Sequence, residues 1–127
     1  MKERIRRPTN RTEQREVCFL IGRGGALLWA DASDNPAALP DSRERWDAIW
    51  RHRDELEVIA HSHPLGPGAF SAEDESTMDA LDSALGKKMN YMVVAPRVTI
   101  SRDQNPVSPE PWWVALLRLA SGMRKDN

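Results

Sequence analysis

The sequence predicts an α+β sandwich built around one mixed central sheet flanked by helices. Two observations lead there: short apolar runs of strand length, and longer stretches with helical apolar periodicity. These elements do not alternate as a regular strand–helix–strand series, which favours the α+β class. With 127 residues and a formal net charge of −1, the chain is long enough for one domain with its own core.

The first half of the chain reads as a hairpin followed by a helix. "REVCFLIG" and "ALLWAD" are predicted strands joined across "RGG". The stretch "DSRERWDAIWRHRDEL" predicts a helix, with Asp41 and Glu44 spaced as a capping box. Its periodicity turns Trp46, Ile49 and Trp50 inward, and docking of a partner by the two tryptophans remains an alternative to core packing.

The second half begins with the predicted strand "EVIAHSH". A helix follows from Ala72 to Leu85, where Gly86 stands in the C-cap position. "NYMVVAP" and "RVTIS" predict two more strands, and a last helix begins near Pro111.

Charge and cysteine content narrow the function classes. Basic residues crowd the start of the chain, so residues 1–14 are predicted to form a flexible basic arm, with a docking role as the alternative, and residues 15–127 the single domain. The near-neutral charge argues against nucleic-acid and membrane partners, and the absence of a signal-peptide pattern predicts a cytoplasmic location. The single cysteine, Cys18, lies in an apolar run and is predicted to be buried and inert.

The stretch "HSHPLGPGAFSAED" carries the chemistry. Side chains alternate along a strand, so His61 and His63 share a face, roughly 6–7 Å apart along the chain, and can converge on one cation. Taken alone, the pair also fits an ordinary surface or core position.

Ser71 and Asp74 have the spacing of a helix N-cap. Asp74, however, also begins the stripe Asp74, Met78, Leu81 and Leu85, which the helix should turn inward. A carboxylate there is costly unless a positive charge compensates it, and a metal held by the two histidines would do so.

Two histidines and one carboxylate are three protein ligands for zinc, and leave a fourth position open for chemistry. The sequence therefore predicts one zinc ion per chain, bound by His61, His63 and Asp74. Ser71 could stabilise an oxyanion, and Glu16, at the start of an apolar strand, is the candidate general base.

These residues resemble the JAMM signature of the JAB/MPN zinc metallopeptidases. That signature has a glutamate on an early strand, then H-x-H, seven residues, a serine, two residues and an aspartate. Here they are Glu16, His61-Ser62-His63, "PLGPGAF", Ser71 and Asp74, and the resemblance covers about residues 15 to 100. Phe19 stands where family members often have glycine, which puts the packing of that strand in question.

The resemblance implies a cytidine-deaminase-like, MPN-type sandwich and a zinc-dependent isopeptidase. Its substrate would be an amide bond at the C-terminal tail of a ubiquitin-like protein, as in a deubiquitinase. Two alternatives stay open: a processing peptidase for a small sulfur-carrier-like protein, and a non-catalytic MPN-type scaffold. We expect the tail to lie in a shallow groove lined by a sheet edge beside "HSHP", bracketed by "ASDNPAALP" and residues 64–68. The cognate substrate and the oligomeric state are not predicted.

Overall fold

The computed structural model describes residues 14–123, which form five strands and three α-helices. In chain order these are β1 (Val17–Gly22), β2 (Leu27–Ala32), α1 (Arg43–Arg51), β3 (Leu56–Ser62), α2 (Ala72–Leu85), β4 (Asn90–Val94), β5 (Thr99–Ser101) and α3 (Trp112–Ala120). A short 3₁₀ turn, Arg23–Gly25, joins β1 to β2. Apart from Gln14, the predicted basic arm lies outside the described residues.

The strands form one mixed sheet in the order β2-β1-β3-β4-β5. β3 and β4 run parallel, whereas the other neighbouring pairs are antiparallel. One apolar cluster joins the sheet to α1 and α2, and a second joins its other face to α3. The predicted sandwich with a mixed central sheet is confirmed.

Alternation along β1 separates these two clusters. Cys18 and Leu20 pack toward α1 and α2, whereas Val17, Phe19 and Ile21 pack toward α3. Phe19 therefore fills the face that contains no predicted site residue. Cys18 is only 2% exposed, and burial raises the pKa of its thiol to about 12, which confirms the predicted buried thiol.

The first helix differs from its prediction at both ends. Ser42, rather than Asp41, is the N-cap, because its hydroxyl accepts the N–H of Arg45 at 3.1 Å. The helix ends at Arg51, since Leu56 is already part of β3 and pairs with Gly22. Trp50 was predicted to face inward but is 53% exposed, with the Arg53 guanidinium 4.0 Å from the centre of its ring.

The second helix matches its prediction closely. It spans Ala72–Leu85, and Met78 and Leu81 are buried as the stripe requires. Gly86 ends it in the left-handed conformation, with φ of 72°, which glycine adopts without steric cost. Among residues 14–123, no helix combines the length and apolar character that crossing a membrane requires.

A polar cluster joins α2 to the far strands of the sheet. The Asp82 carboxylate accepts hydrogen bonds from the Met89 N–H at 3.0 Å, the Tyr91 hydroxyl at 2.9 Å and Arg102 at 2.6 Å. Burial opposes ionisation of Asp82, but these donors outweigh it and hold the pKa of the carboxyl below its usual value.

We predict that Asp82→Asn lowers the free energy of unfolding by about 1–3 kcal/mol at pH 7, because charge-assisted hydrogen bonds are lost. The folded-state pKa of Asp82 is depressed, so its stabilisation is present above the unfolded pKa of about 3.9 and disappears as pH falls through the folded value. Denaturant titrations should therefore show that the difference in free energy of unfolding between variant and wild type becomes smaller as the pH is lowered.

The matched control is Asp79→Asn. Asp79 also faces Arg102, at 3.6 Å, but its side chain is 82% exposed, so its loss should cost well under about 1 kcal/mol. Equal destabilisation by the two substitutions, or a gap that does not change with pH, would contradict the role given to Asp82.

Candidate metal centre

The two histidines of "HSHP" lie at the end of the central strand. His61 is on β3, and His63 follows it directly. Both belong to the face of β3 that also carries Ile59 and that α1 and α2 cover. Their Nε2 atoms are 3.2 Å apart, so the predicted convergence is present.

The start of α2 brings a carboxylate to the same point. Asp74 Oδ1 lies 3.2 Å from His61 Nε2, and Oδ2 lies 3.3 Å from His63 Nε2. Asp74 is held there by a capping box, in which its Oδ2 accepts the Ser71 N–H at 2.8 Å and the Ser71 hydroxyl accepts the Asp74 N–H at 3.0 Å. The predicted cap is thus confirmed, and the same bonds aim the carboxylate at the histidines.

The spacing of these three groups fits a zinc ion. Zinc binds imidazole nitrogen and carboxylate oxygen at about 2.0–2.2 Å in a tetrahedron, which puts neighbouring ligand atoms about 3.3 Å apart. The three separations here are 3.2, 3.2 and 3.3 Å. Each separation is close to the edge of such a tetrahedron, and the two Asp74 distances end on different oxygens, Oδ1 for His61 and Oδ2 for His63.

The ring of His63 is oriented by the loop that follows it. Its Nδ1 lies 3.0 Å from the carbonyl oxygen of Pro67. A carbonyl only accepts, so Nδ1 carries a proton, and once Nε2 loses the proton that it donates to Asp74, its lone pair can bind a metal. The turn depends on Gly66, whose φ of 75° favours glycine and whose N–H donates to the His63 carbonyl at 2.9 Å.

The charged groups at the centre shift one another's pKa values. Burial opposes ionisation of Asp74, but hydrogen bonds from His61 and His63 outweigh it and hold the pKa of the carboxyl well below its usual range. Burial also disfavours the charged form of His63, yet its contacts with Asp74 and the Pro67 carbonyl raise its pKa overall. The carboxylate is therefore ionised and ready to balance a cation.

Glu16 completes the group from the neighbouring strand. It directly precedes β1, is 7% exposed, and has a carboxylate oxygen within 4.8 Å of ligand nitrogens of both histidines. Burial raises the pKa of Glu16, and the nearby His63 and His61 partly offset this rise. Glu16, His61 and His63 could together hold a metal ion, and the Asp74 carboxylate contacts both histidines.

Ser71 lies at the rim of the centre rather than inside it. Its hydroxyl oxygen accepts the Asp74 N–H, which uses a lone pair and leaves the O–H free to donate elsewhere. The geometry is compatible with both of its predicted functions, the cap and the oxyanion helper, and its catalytic role stays a prediction.

A cavity of about 590 Å³ opens beside the centre, within the size range of small-ligand pockets. Its inner wall is apolar and comes from α1, α2 and the sheet, mainly Trp46, Ile49, Ile59, Met78, Leu81 and Tyr91. The expected shallow groove along a sheet edge is wrong, because β3 is paired on both sides and has no free edge.

Sequence reasoning missed Arg45, which supports one wall of this cavity. Its guanidinium pairs with Asp31 on β2 at 2.8 Å and donates to the Pro40 carbonyl at 3.1 Å. It therefore attaches the loop at residues 33–42, which lies over the cavity, to the sheet. No periodicity in the sequence indicates this, because the contact joins residues from separate elements.

The match to known families agrees with this geometry. Residues 1–115 match the family model of prokaryotic homologues of the JAB domain, a span that includes Glu16, both site histidines, Ser71 and Asp74. No curated protein matches the chain. Since the family match covers nearly the whole described domain as well as the residues that could hold a metal, this chain belongs to the prokaryotic JAB-domain homologues.

Proposed function

We propose that the protein is a zinc-dependent metallopeptidase that hydrolyses an amide or isopeptide bond at the C-terminal tail of a ubiquitin-like protein. The observation that carries the proposal is the set of separations among His61, His63 and Asp74, 3.2 to 3.3 Å, with the buried Glu16 beside them. The family match supports a hydrolase of this type.

The residues of the metal centre have separate roles in the proposed reaction. Zinc bound by His61, His63 and Asp74 would supply a Lewis acid that polarises the amide carbonyl and acidifies a water molecule. Glu16 takes a proton from the attacking water while the water oxygen bonds to the carbonyl carbon, and then gives that proton to the departing amine as the C–N bond breaks. Ser71 donates its O–H to the carbonyl oxygen as negative charge develops there.

Burial suits Glu16 to this task. A carboxyl whose pKa is raised by burial holds a proton more readily than an exposed glutamate, which suits a group that must accept a proton and then return it. A non-catalytic scaffold would have no need of a buried carboxylate at this point, where burial of its charge is costly.

The cavity supports a substrate that reaches the centre as an extended segment. The loop at residues 33–42 and the turn at residues 64–68 border it, and the metal centre lies in its wall. A flexible tail can enter such a space, whereas an amide inside a folded domain cannot reach the centre. The apolar inner wall would hold apolar side chains of the tail.

The first prediction for this function concerns metal. Protein purified without added metal should carry close to one zinc per chain by elemental analysis, and His63→Ala should remove most of it. The control is His52→Ala, because His52 caps α1 and pairs with Glu55 at 3.1 Å, outside the metal centre.

Asp74→Asn should weaken zinc binding far more than Glu16→Gln, because we assign Asp74 as the ligand and Glu16 as the base. Zinc retained by His63→Ala, or the reverse order of the last two variants, would refute this ligand set.

The second prediction separates catalysis from metal binding. Glu16→Gln should keep its zinc and lower kcat by about 10²–10⁴-fold, because the proton acceptor is gone. Glu57→Gln, at an exposed position of β3, should leave the rate unchanged. In the same assay Ser71→Ala should lower kcat by about 10²–10³-fold if its hydroxyl stabilises an oxyanion, and should cost about 0.5–2 kcal/mol of stability through the lost cap. A rate for Glu16→Gln equal to that of the wild type would exclude the proposed base.

The third prediction concerns the substrate. The protein should cleave a fusion at the tail of a ubiquitin-like protein and leave casein, a general unfolded substrate, largely intact, because the walled cavity selects the segment that enters. A parallel fusion to a sulfur-carrier-like protein tests the alternative substrate. Broad degradation of casein that His61→Ala abolishes would retain the zinc site but overturn the substrate assignment.

A further inference from the structure

The backbone pairing between β1 and β3 ends at the metal centre. Its last paired residues are Cys18 and His61. Glu16 lies two residues beyond this point, where the chain enters the strand and where strand ends tend to fray unless they are attached. On the side of the strand that faces β3, side chains from distant parts of the chain provide that attachment.

Two buried serines continue the connection where the backbone pairing stops. The Val17 N–H donates to the Ser62 hydroxyl at 2.9 Å, and the Ser62 and Ser121 hydroxyl oxygens are 2.8 Å apart. The Ser121 hydroxyl in turn contacts the carbonyl oxygen of Arg15. Val17 and Arg15 are the two neighbours of Glu16, so this path attaches the backbone on both sides of it.

The direction of every hydrogen bond in this path is determined. The Arg15 carbonyl can only accept, so Ser121 uses its hydroxyl proton there and must accept from Ser62. Ser62 therefore donates to Ser121 and accepts from the Val17 N–H. We call this path, Val17 N–H to Ser62 to Ser121 to Arg15 carbonyl, the serine relay.

The serine relay lies on the face of the sheet opposite the metal centre. Ser62, the last residue of β3, stands between His61 and His63, so its side chain points toward α3. Both serines are 0% exposed, which shields their hydrogen bonds from water. Ser121 is the C-cap of α3, and its carbonyl also accepts the Arg15 N–H at 3.1 Å. Ser121 lies beyond residues 1–115, the span of the family match.

We infer that Ser62 and Ser121 are positioning residues for Glu16, and that the serine relay holds the general base at its working distance from the metal centre. This rests on the role of Glu16 in the proposed function. The Glu16 backbone itself is held on the other side, where its N–H donates to the Asn35 carbonyl at 3.0 Å and its carbonyl accepts the Ser33 N–H at 2.9 Å. Helix α3 thus acts on the reaction without supplying any group to the centre.

The test compares Ser62→Ala and Ser121→Ala with the control Thr99→Val. Thr99 is also a buried hydroxyl on the sheet, 1% exposed, and donates to Glu110 at 2.8 Å, away from Glu16. Each serine variant should lower kcat by about 10–100-fold, since a displacement of about 1 Å at a reacting group can cost 10²-fold. KM and zinc content should stay unchanged, and Thr99→Val should keep the wild-type rate although it also loses a buried hydroxyl.

Amide hydrogen exchange at Val17 supplies a readout that does not depend on activity. Both serine variants should speed exchange of the Val17 N–H, and Thr99→Val should not. If the wild type hydrolyses no amide, the proposed function fails while the exchange data still decide whether the relay holds this strand. If Ser62→Ala does not fold, Ser121→Ala carries the comparison. Wild-type kcat in either folded serine variant, or a loss no larger than that of Thr99→Val, would overturn the inference.

Discussion

The antiparallel pairing of β1 with β3 fixes the relation between the candidate base and the candidate ligands. Cys18 lies opposite His61, and the same register continued by two residues places Glu16 opposite His63. Alternation along both strands then puts all three candidate side chains on the face covered by α1 and α2. A slip of one residue would move Glu16 to the face of α3 and leave the histidines without a neighbouring base.

The register of β1 against β3 brings acidic and basic side chains close together in a half-buried space. Two carboxylates and two imidazoles meet there, with Glu16 and Asp74 both withdrawn from water. Burying this much negative charge is costly unless a cation balances it, and a divalent metal balances both carboxylates. The hydrogen bonds of Ser71 and of the Pro67 carbonyl, which orient Asp74 and His63, are the kind of supporting contact that metal ligands require. Glu16, His61 and His63 could therefore hold a metal ion, and the Asp74 carboxylate contacts both histidines.

Much of this arrangement could be predicted from local sequence patterns. The caps of α2, its inward stripe beginning at Asp74, and the shared face of the two histidines all follow from spacing along one element. Helix α1 was less predictable, because the start of β3 at Leu56 competes for its last residues, and Trp50 turned outward. Apolar periodicity indicates which side of a helix faces inward, but it does not show how much of that side the rest of the protein covers.

Contacts between distant segments could not be predicted in this way. The serine relay joins Ser62 to Ser121, 59 positions apart, and Arg45 reaches across 14 positions to Asp31. Both depend on the packing of complete elements. Only one signal pointed to Ser62, namely that a residue between two ligands on a strand must face away from them. The cavity was mistaken for a shallow groove because sequence alone did not show that β3 is central in the sheet.

The position of zinc in crystals of the wild-type protein, measured from anomalous scattering at the zinc absorption edge, tests the proposed ligand set most directly. We expect one strong peak about 2.0–2.2 Å from His61 Nε2, His63 Nε2 and an Asp74 carboxylate oxygen. The Glu16 carboxylate should lie outside direct bonding distance, free to exchange a proton. A peak bonded to Glu16 but not to Asp74, or no peak between the two histidines, would contradict it.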